Sequence, residues 1–449
     1  MRATIYTTND HGEYRCKPIS YGIPLSGITT IKAAEAPAHT AFLGFGVAIT
    51  GSSCYNLSQM EPGERRKVLQ HLYSKDGLNL QIGRLSIGSS DYSAEVYTYD
   101  DGDEDLSLSR FSIERDKEYI IPMIKEILEI NPELKLYASP WSPPGWMKSG
   151  GNIGGGFMRS KYLNVYADYI VKYVQAYAAE GIKLHAVTHQ NEPTTQQLGK
   201  MPACIWNPDQ EAKFITILRK KFDQNHIDTQ IWCCDNGFDS AQIVSWCLQE
   251  YPAMKDACTG IGFHYYSGTI EKTAFLKEQY PNLQLHFTEG GPRLTDHYDT
   301  DWCKWGLIAI KALNCGYSSF TGWNLMLDET GGPKVGPHPC GGLVTRNSQD
   351  HCLSYSGQYK AFRHFSMLDR EHCILPLRME RETEIVLKKY PTYQYMFTEG
   401  CMAKSADGKV ILMLVNPAST LEQLQYYYGG KWWYIELQPN TLATVVLEA

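Results

Sequence analysis

The sequence predicts an α/β protein: a (β/α)8 barrel joined to a β-sandwich that both ends of the chain build. Three observations predict it. Between about residue 40 and residue 366, eight short apolar runs alternate with amphipathic, helix-like stretches. Several of the runs are apolar almost throughout, as strands covered on both faces must be. The two ends instead carry β-type runs separated by turn signals. An open doubly wound sheet would usually place a GxGxxG loop after its first strand. Gly44-Phe45-Gly46-Val47 is not followed by one.

In chain order, residues 1–38 read as sandwich strands. Runs 4–8 and 13–18 flank the turn Asn9-Asp10-His11-Gly12. The barrel is expected over 39–372, with strands at 41–49, 80–87, 135–139, 184–190, 230–234, 260–265, 284–288 and 318–325. Helices are expected at 63–75, 113–130, 162–180, 210–224, 241–250 and 302–313. In the third of these, Leu163, Tyr166, Ala167, Ile170, Val171 and Val174 recur at the spacing of one buried face. Residues 373–449 return to β structure. Ala406-Asp407-Gly408-Lys409 marks a hairpin turn, and Gly429-Gly430 separates runs 424–428 and 431–437. The last run is 442–447.

Charge and length exclude several classes. The 42 basic and 49 acidic residues leave a net charge of −7 with no basic run, which argues against a nucleic-acid partner. The longest apolar stretches, such as 410–415, are far below the about 20 residues that span a membrane. Met1-Arg2-Ala3-Thr4 turns polar at once, without the apolar core of a secretion signal. The 13 cysteines cannot all pair with one another and include no CxxC. A cytoplasmic protein with free thiols is the expectation. Oligomeric state is not legible.

Barrel enzymes place their reactive groups at the C-terminal ends of the strands. The fourth expected strand ends His189-Gln190-Asn191-Glu192-Pro193, and the seventh ends Phe287-Thr288-Glu289-Gly290-Gly291. Two glutamates therefore face each other across the mouth. That pair suits glycoside hydrolysis. One carboxyl must donate a proton to the leaving oxygen, and the other must be ionised to attack the anomeric carbon or activate water. A gap of about 5–5.5 Å implies retention of configuration, and about 6.5–9.5 Å implies inversion.

A family resemblance rests on motifs that occur in order. They are Phe45-Gly46-Val47-Ala48-Ile49-Thr50, Arg84-Leu85-Ser86, Ser90-Asp91-Tyr92-Ser93, Ser139-Pro140-Trp141-Ser142-Pro143-Pro144, Asn191-Glu192-Pro193, His264-Tyr265-Tyr266, Thr288-Glu289-Gly290 and Gly322-Trp323-Asn324-Leu325. Together they resemble glycoside hydrolase family 30, the glucosylceramidase-like retaining enzymes, over essentially the whole chain. The resemblance implies a (β/α)8 barrel with a β-sandwich from both termini and no cofactor. It implies Glu192 as general acid/base and Glu289 as nucleophile. It further implies that Asn191 bonds the sugar 2-OH and that Arg84 keeps the nucleophile ionised. Tyr266, rather than its neighbour Tyr265, is implied beside the nucleophile. Trp141 and Trp323 resemble the aromatic walls of the sugar site, and Asp91 resembles a carboxylate that accepts from remote hydroxyls. An acid also needs a raised pKa, so Glu192 is expected in a poorly solvated or negatively charged setting.

Two departures stand out. Gly51 stands where the family often has Asp, and Gly331-Gly332-Pro333-Lys334-Val335-Gly336-Pro337-His338 replaces a Gly-Gly-Pro-Asn-Trp segment. His338 is a candidate polar contact to the sugar. His338, Cys340, His351 and Cys352 cluster in sequence, but their spacing matches no zinc pattern, so no metal is expected. Gly154-Gly155-Gly156 reads as a mobile loop over the mouth. The expected substrate is a small carbohydrate, with exo cleavage of short β-glucosides leading. β-Xylosidase, β-fucosidase, β-1,6-glucanase or β-1,6-galactanase activity is the alternative. A non-catalytic sugar-binding protein on the same scaffold is the reading from another class.

Overall fold

The computed structural model of the chain describes residues 2–38, 42–380 and 397–448. The expected start of the first barrel strand, at residue 41, lies outside the described residues. The chain forms two compact units. One comprises Met1–Gly44, Asp296–Ser318 and Tyr355–Ala449, and the other comprises Phe45–Thr295 and Ser319–Ser354.

Eight parallel strands close into a barrel. They are β1 (Gly44–Ala48), β2 (Ile82–Ile87), β3 (Lys135–Pro140), β4 (Leu184–Thr188), β5 (Gln230–Gly237), β6 (Gly260–His264), β7 (Gln284–Glu289) and β8 (Tyr317–Gly322). All five residues of β1 and all six of β8 are buried, which explains their continuous apolar or small-residue character. At Gly46 a Cβ would sit 1.8 Å from the Ile82 carbonyl oxygen, so β1 and β2 approach as closely as they do only with glycine there.

Two helix starts show their capping chemistry clearly. Helix Pro62–Tyr73 opens with proline at its first turn, and the Glu61 carboxylate accepts from Gly63 N and Glu64 N. Helix Pro208–Gln224 starts from a capping box between Asn207 and Gln210. Helix Ala241–Glu250 has the expected ends. The expected helix 113–130 divides into a short 3-10 turn, Glu114–Lys117, and helix Ile120–Ile130. The turn is held by buried Asp116, whose carboxylate accepts from the Tyr97, Tyr99 and Tyr177 hydroxyls at 2.7, 2.6 and 2.5 Å.

Strand β8 stops at Gly322, three residues before the expected end at 325. Asn324 has φ +63°, and that left-handed turn redirects the chain into Met326–Leu327, which pairs with Val344–Arg346.

The other unit contains a ten-stranded sheet and the helices Trp302–Asn314 and Gly357–Phe365. Arg2–Asn9 pairs with Gly12–Pro18 on one side and with Thr441–Glu448 on the other. Strand Cys373–Glu380 pairs through its first half with Glu399–Lys404 and through its second half with Thr29–Ala33. It thus passes from one layer to the other, as strands at sandwich corners do. Ile5 and Val445 share one core with Ile31, Leu424 and Trp433, although their strands lie far apart in the sheet order. The sheet therefore folds over itself into two layers. The expected hairpins are present as Glu422–Tyr428 with Lys431–Leu437, and as Glu399–Lys404 with Val410–Asn416.

Candidate active site

A cavity of about 170 Å³ opens at the C-terminal ends of the barrel strands. It is lined by Asp91, Trp141, Asn191, Glu192, Tyr266, Glu289, Trp323 and His338, and also by Gln197, Met201, Arg293 and Cys340. Eight of the nine residues singled out in the sequence therefore meet in one place. The ninth, Arg84, lies fully buried beneath them.

Arg84 comes from the middle of β2, and each of its three nitrogens has a partner. Nη1 bonds Glu289 Oε2, Nη2 donates to Asn191 Oδ1 at 2.8 Å and Asp235 Oδ2 at 2.9 Å, and Nε donates to Ser139 Oγ at 3.3 Å. Its guanidinium lies 4.8 Å from the Trp141 ring centre and 5.6 Å from that of Trp323. Burial opposes its charge, but Asp235 and Glu289 hold it protonated. Because Asn191 Oδ1 is taken by Arg84, the Asn191 amide NH2 is the group left to donate.

Asp235 is a central residue that the sequence did not reveal. The expected strand stopped at Cys234, but β5 runs to Gly237. The register with β6 skips one residue there, with Gly262 opposite Cys234 and Phe263 opposite Asn236. Asp235 is the extra residue of this bulge, and Cys234 and Asp235 have φ of +70° and +53°. The bulge turns the carboxylate inward, where it also accepts from Thr188 Oγ1 at 2.8 Å. Burial would raise its pKa, but Arg84, His264 and Thr188 together hold it below the carboxylate range.

His264 ends β6. Its Nε2 lies 3.0 Å from Asp235 Oδ1, and its Nδ1 lies 3.2 Å from Glu192 Oε1 and 3.9 Å from Glu289 Oε2. Burial pulls its pKa down, but the Glu289 charge and the bonds to Asp235 and Glu192 outweigh burial and hold it at about 9. The motif containing His264 was legible in the sequence, but its partners were not.

Glu192 follows β4 with φ +46°, and its N–H donates to the Asp235 carbonyl at 3.0 Å. Both carboxylate oxygens are engaged, Oε1 by His264 and Oε2 by Gln197 Nε2 at 2.6 Å. The expected raised pKa is not found. Burial does push it up, but the bond and charge of His264, with Arg84 and His338, bring it below the usual glutamate value. Gln197 lies on the loop after β4, where no sequence pattern pointed to it.

Tyr266 bonds Glu289, and burial followed by the Glu289 charge raises its phenol well above the ordinary value. Trp141 and Trp323 stack on each other with ring centres 5.3 Å apart. Asp91 Oδ1 is buried without a hydrogen-bond partner. Burial, then Glu289 and Glu192, raise its pKa well above the ordinary value. The loop carrying His338 is moulded to it, since Val335 N and Gly336 N donate to the Asp91 carbonyl at 3.0 and 2.9 Å. Gly51 opens helix Gly51–Ser58, where a Cβ would lie 3.2 Å from Ser93 Oγ, and it does not line the cavity.

Donor atoms of Glu192, His264 and Glu289 lie within 4.8 Å of one another. A cation among them would meet the Arg84 guanidinium on Glu289 and the proton held by His264, so the donor set does not fit a metal. The expected mobile loop at Gly154-Gly155-Gly156 is pinned. Gly154 bridges to Pro202 and Phe157 to Ile205, and buried Lys148 donates to the Ile153 and Ala203 carbonyls at 2.6 and 2.8 Å.

Residues 42–366 match the model of the glycosyl hydrolase family 30 TIM-barrel domain. The chain is similar to an endo-1,6-β-D-glucanase of Neurospora crassa, 27% identical over 82% of this chain and 80% of that one. It is also similar to the lysosomal acid glucosylceramidase of Mus musculus, 28% identical over 65% of this chain and 60% of that one. Among solved structures, the endo-β1,6-glucanase BT3312 superposes with a TM-score of 0.86 at 25% identity, covering both chains fully. SrfJ from Salmonella typhimurium superposes with a TM-score of 0.89 at 24% identity, also over both chains. With its closed barrel, its terminal sheet unit and a match that spans most of its length, the chain belongs to glycosyl hydrolase family 30 and is a glycosidase.

Proposed function

We propose that the protein cleaves β-glycosidic bonds by double displacement, with Glu289 as nucleophile and Glu192 as acid/base. One observation carries this reading: carboxylate oxygens of Glu192 and Glu289 lie within 4.8 Å of each other. That matches the short gap of retaining enzymes rather than the about 6.5–9.5 Å that leaves room for a water. In the first step Glu289 attacks the anomeric carbon and Glu192 gives a proton to the departing oxygen. In the second, Glu192 takes a proton from water, the water oxygen bonds the anomeric carbon, and Glu289 departs. Arg84 and Tyr266 steady the Glu289 carboxylate. Glu192 needs a proton for the first step, and its Oε1 stands 3.2 Å from His264 Nδ1. Asp91 and the Asn191 amide then serve sugar hydroxyls, against the walls of Trp141 and Trp323, with His338 at the rim.

The glycone is glucose in this reading. The glucanase and glucosylceramidase relatives support it, and the endo-1,6-β-glucanases make β-1,6-glucan the leading polymer. Exo cleavage of short β-glucosides is the second reading, favoured by the small cavity. The free cysteines support a cytoplasmic location. Among the described residues no helix is long and apolar enough to cross a membrane.

Glu289→Ala tests the chemistry. It is expected to abolish turnover of p-nitrophenyl β-glucoside, with azide restoring it as a glycosyl azide of inverted configuration. Normal activity without azide would overturn the nucleophile. A linear β-1,6-glucan separates the modes, since endo cleavage releases a ladder of oligomers and exo cleavage releases glucose alone.

A further inference from the structure

Gln197 approaches Glu192 from a loop stapled to its neighbour. The segment after β4 bridges to the segment after β3 at Gly154–Pro202 and Phe157–Ile205, and Lys148 binds a carbonyl from each. Gln197 itself has φ +48°, and its N–H donates to Thr195 Oγ1 at 3.1 Å. The backbone is therefore held in a left-handed conformation that costs on the order of 1 kcal/mol for a side chain of this kind. That conformation accompanies a side chain directed at the carboxylate, with Nε2 2.6 Å from Oε2.

We infer that Gln197 is a positioning residue that holds Glu192 in place and favours its ionised form, which the proton-accepting second step requires. The inference rests on Glu192 being the acid/base. A neutral amide fits this task. It donates to a carboxylate, and by turning over it accepts from a carboxylic acid, so it follows the group through both states. A lysine there would hold the anion too tightly to be reprotonated. The charged and titratable groups facing Glu192 are His264, Arg84, Glu289, Asp91, Tyr266 and His338. None of them bonds the oxygen that Gln197 occupies.

The test is the pH profile of kcat/KM for Gln197→Leu and Gln197→Glu, with Glu192→Ala as control. Gln197→Leu removes the donor and should move the basic limb upward by about half to one unit. Gln197→Glu adds a carboxylate and should move it further. Burst kinetics with a dinitrophenyl β-glucoside should show the glycosyl-enzyme accumulating in Gln197→Leu, and azide should relieve that accumulation. A loss of kcat with the limb unmoved in both variants would reduce Gln197 to a structural role. A basic limb that survives in Glu192→Ala would instead remove Glu192 from the acid role, whatever the Gln197 variants do.

Discussion

Asp235 and His264 are joined 3.0 Å apart, with both side chains wholly buried. The same carboxylate reaches Arg84 through its other oxygen at 2.9 Å. One aspartate on a strand bulge thus anchors the two cations that bracket the candidate carboxylates. Removing its charge leaves both cations undercompensated in a low-dielectric site. Asp235→Asn should destabilise the protein by about 3–5 kcal/mol, read from urea unfolding at constant m-value. Activity should fall by on the order of tenfold or more. Wild-type stability in that variant would show the network to be dispensable.

His264 makes stability depend on alkaline pH. Its folded pKa of about 9 is raised from 6.5, so its contribution is complete below 6.5 and is lost as pH rises through 9. The loss should be on the order of 3 kcal/mol between those values. Urea midpoints at pH 6.5 and pH 9.5 measure it, and His264→Gln should flatten that slope.

Asp301 also lowers stability as pH rises, but over a more acidic range and because burial disfavours its charge. Burial pushes its pKa up to about 7, and Lys304 and the Trp305 indole, 2.8 Å from Oδ2, offset that only in part. A carboxyl raised above 3.8 is accommodated at low pH and penalises folding increasingly as pH rises through 7. Asp301→Asn keeps an acceptor for Trp305 and removes the charge. It should raise stability by about 1–3 kcal/mol at pH 8, with the gain vanishing near pH 4. Thermal melts at the two pH values decide it.

Gly336 controls the fit of the His338 loop. A Cβ there would lie 2.4 Å from the Asp91 Cβ, so Gly336→Ala must push the loop and Asp91 apart. With Asp91 displaced, a sugar hydroxyl loses its partner, at about 1.5–3 kcal/mol. KM should rise about tenfold or more while the melting temperature stays within a few degrees. An unchanged KM would free Asp91 of a binding role.

The barrel was legible because buried parallel strands leave continuous apolar runs and the intervening helices show one apolar face. Glu192 and Glu289 were legible because they stand where those runs end. Asp235 was not, since a bulge adds one residue beyond the apolar run and reverses which side chain faces inward. Gln197 was hidden because a loop without periodicity carries it. The ionisation of Glu192 was misjudged for a related reason. Burial alone would have raised it, but His264 supplies a charge from a different strand. Strand Cys373–Glu380 escaped delimitation because a strand that changes layers midway has no single alternation of inner and outer residues.

The pairing of Arg2–Asn9 with Thr441–Glu448 has a consequence for biosynthesis. The unit made of Phe45–Thr295 and Ser319–Ser354 has all its residues once position 354 has left the ribosome. The first strand must wait for the last one. At about 5–20 residues per second, translation leaves Arg2–Asn9 without that neighbour for on the order of tens of seconds. During that interval a nascent chain carries an open edge that other nascent chains could capture. A ribosome halted between residues 354 and 441 would hold every residue of the one unit and leave Arg2–Asn9 without its Thr441–Glu448 neighbour.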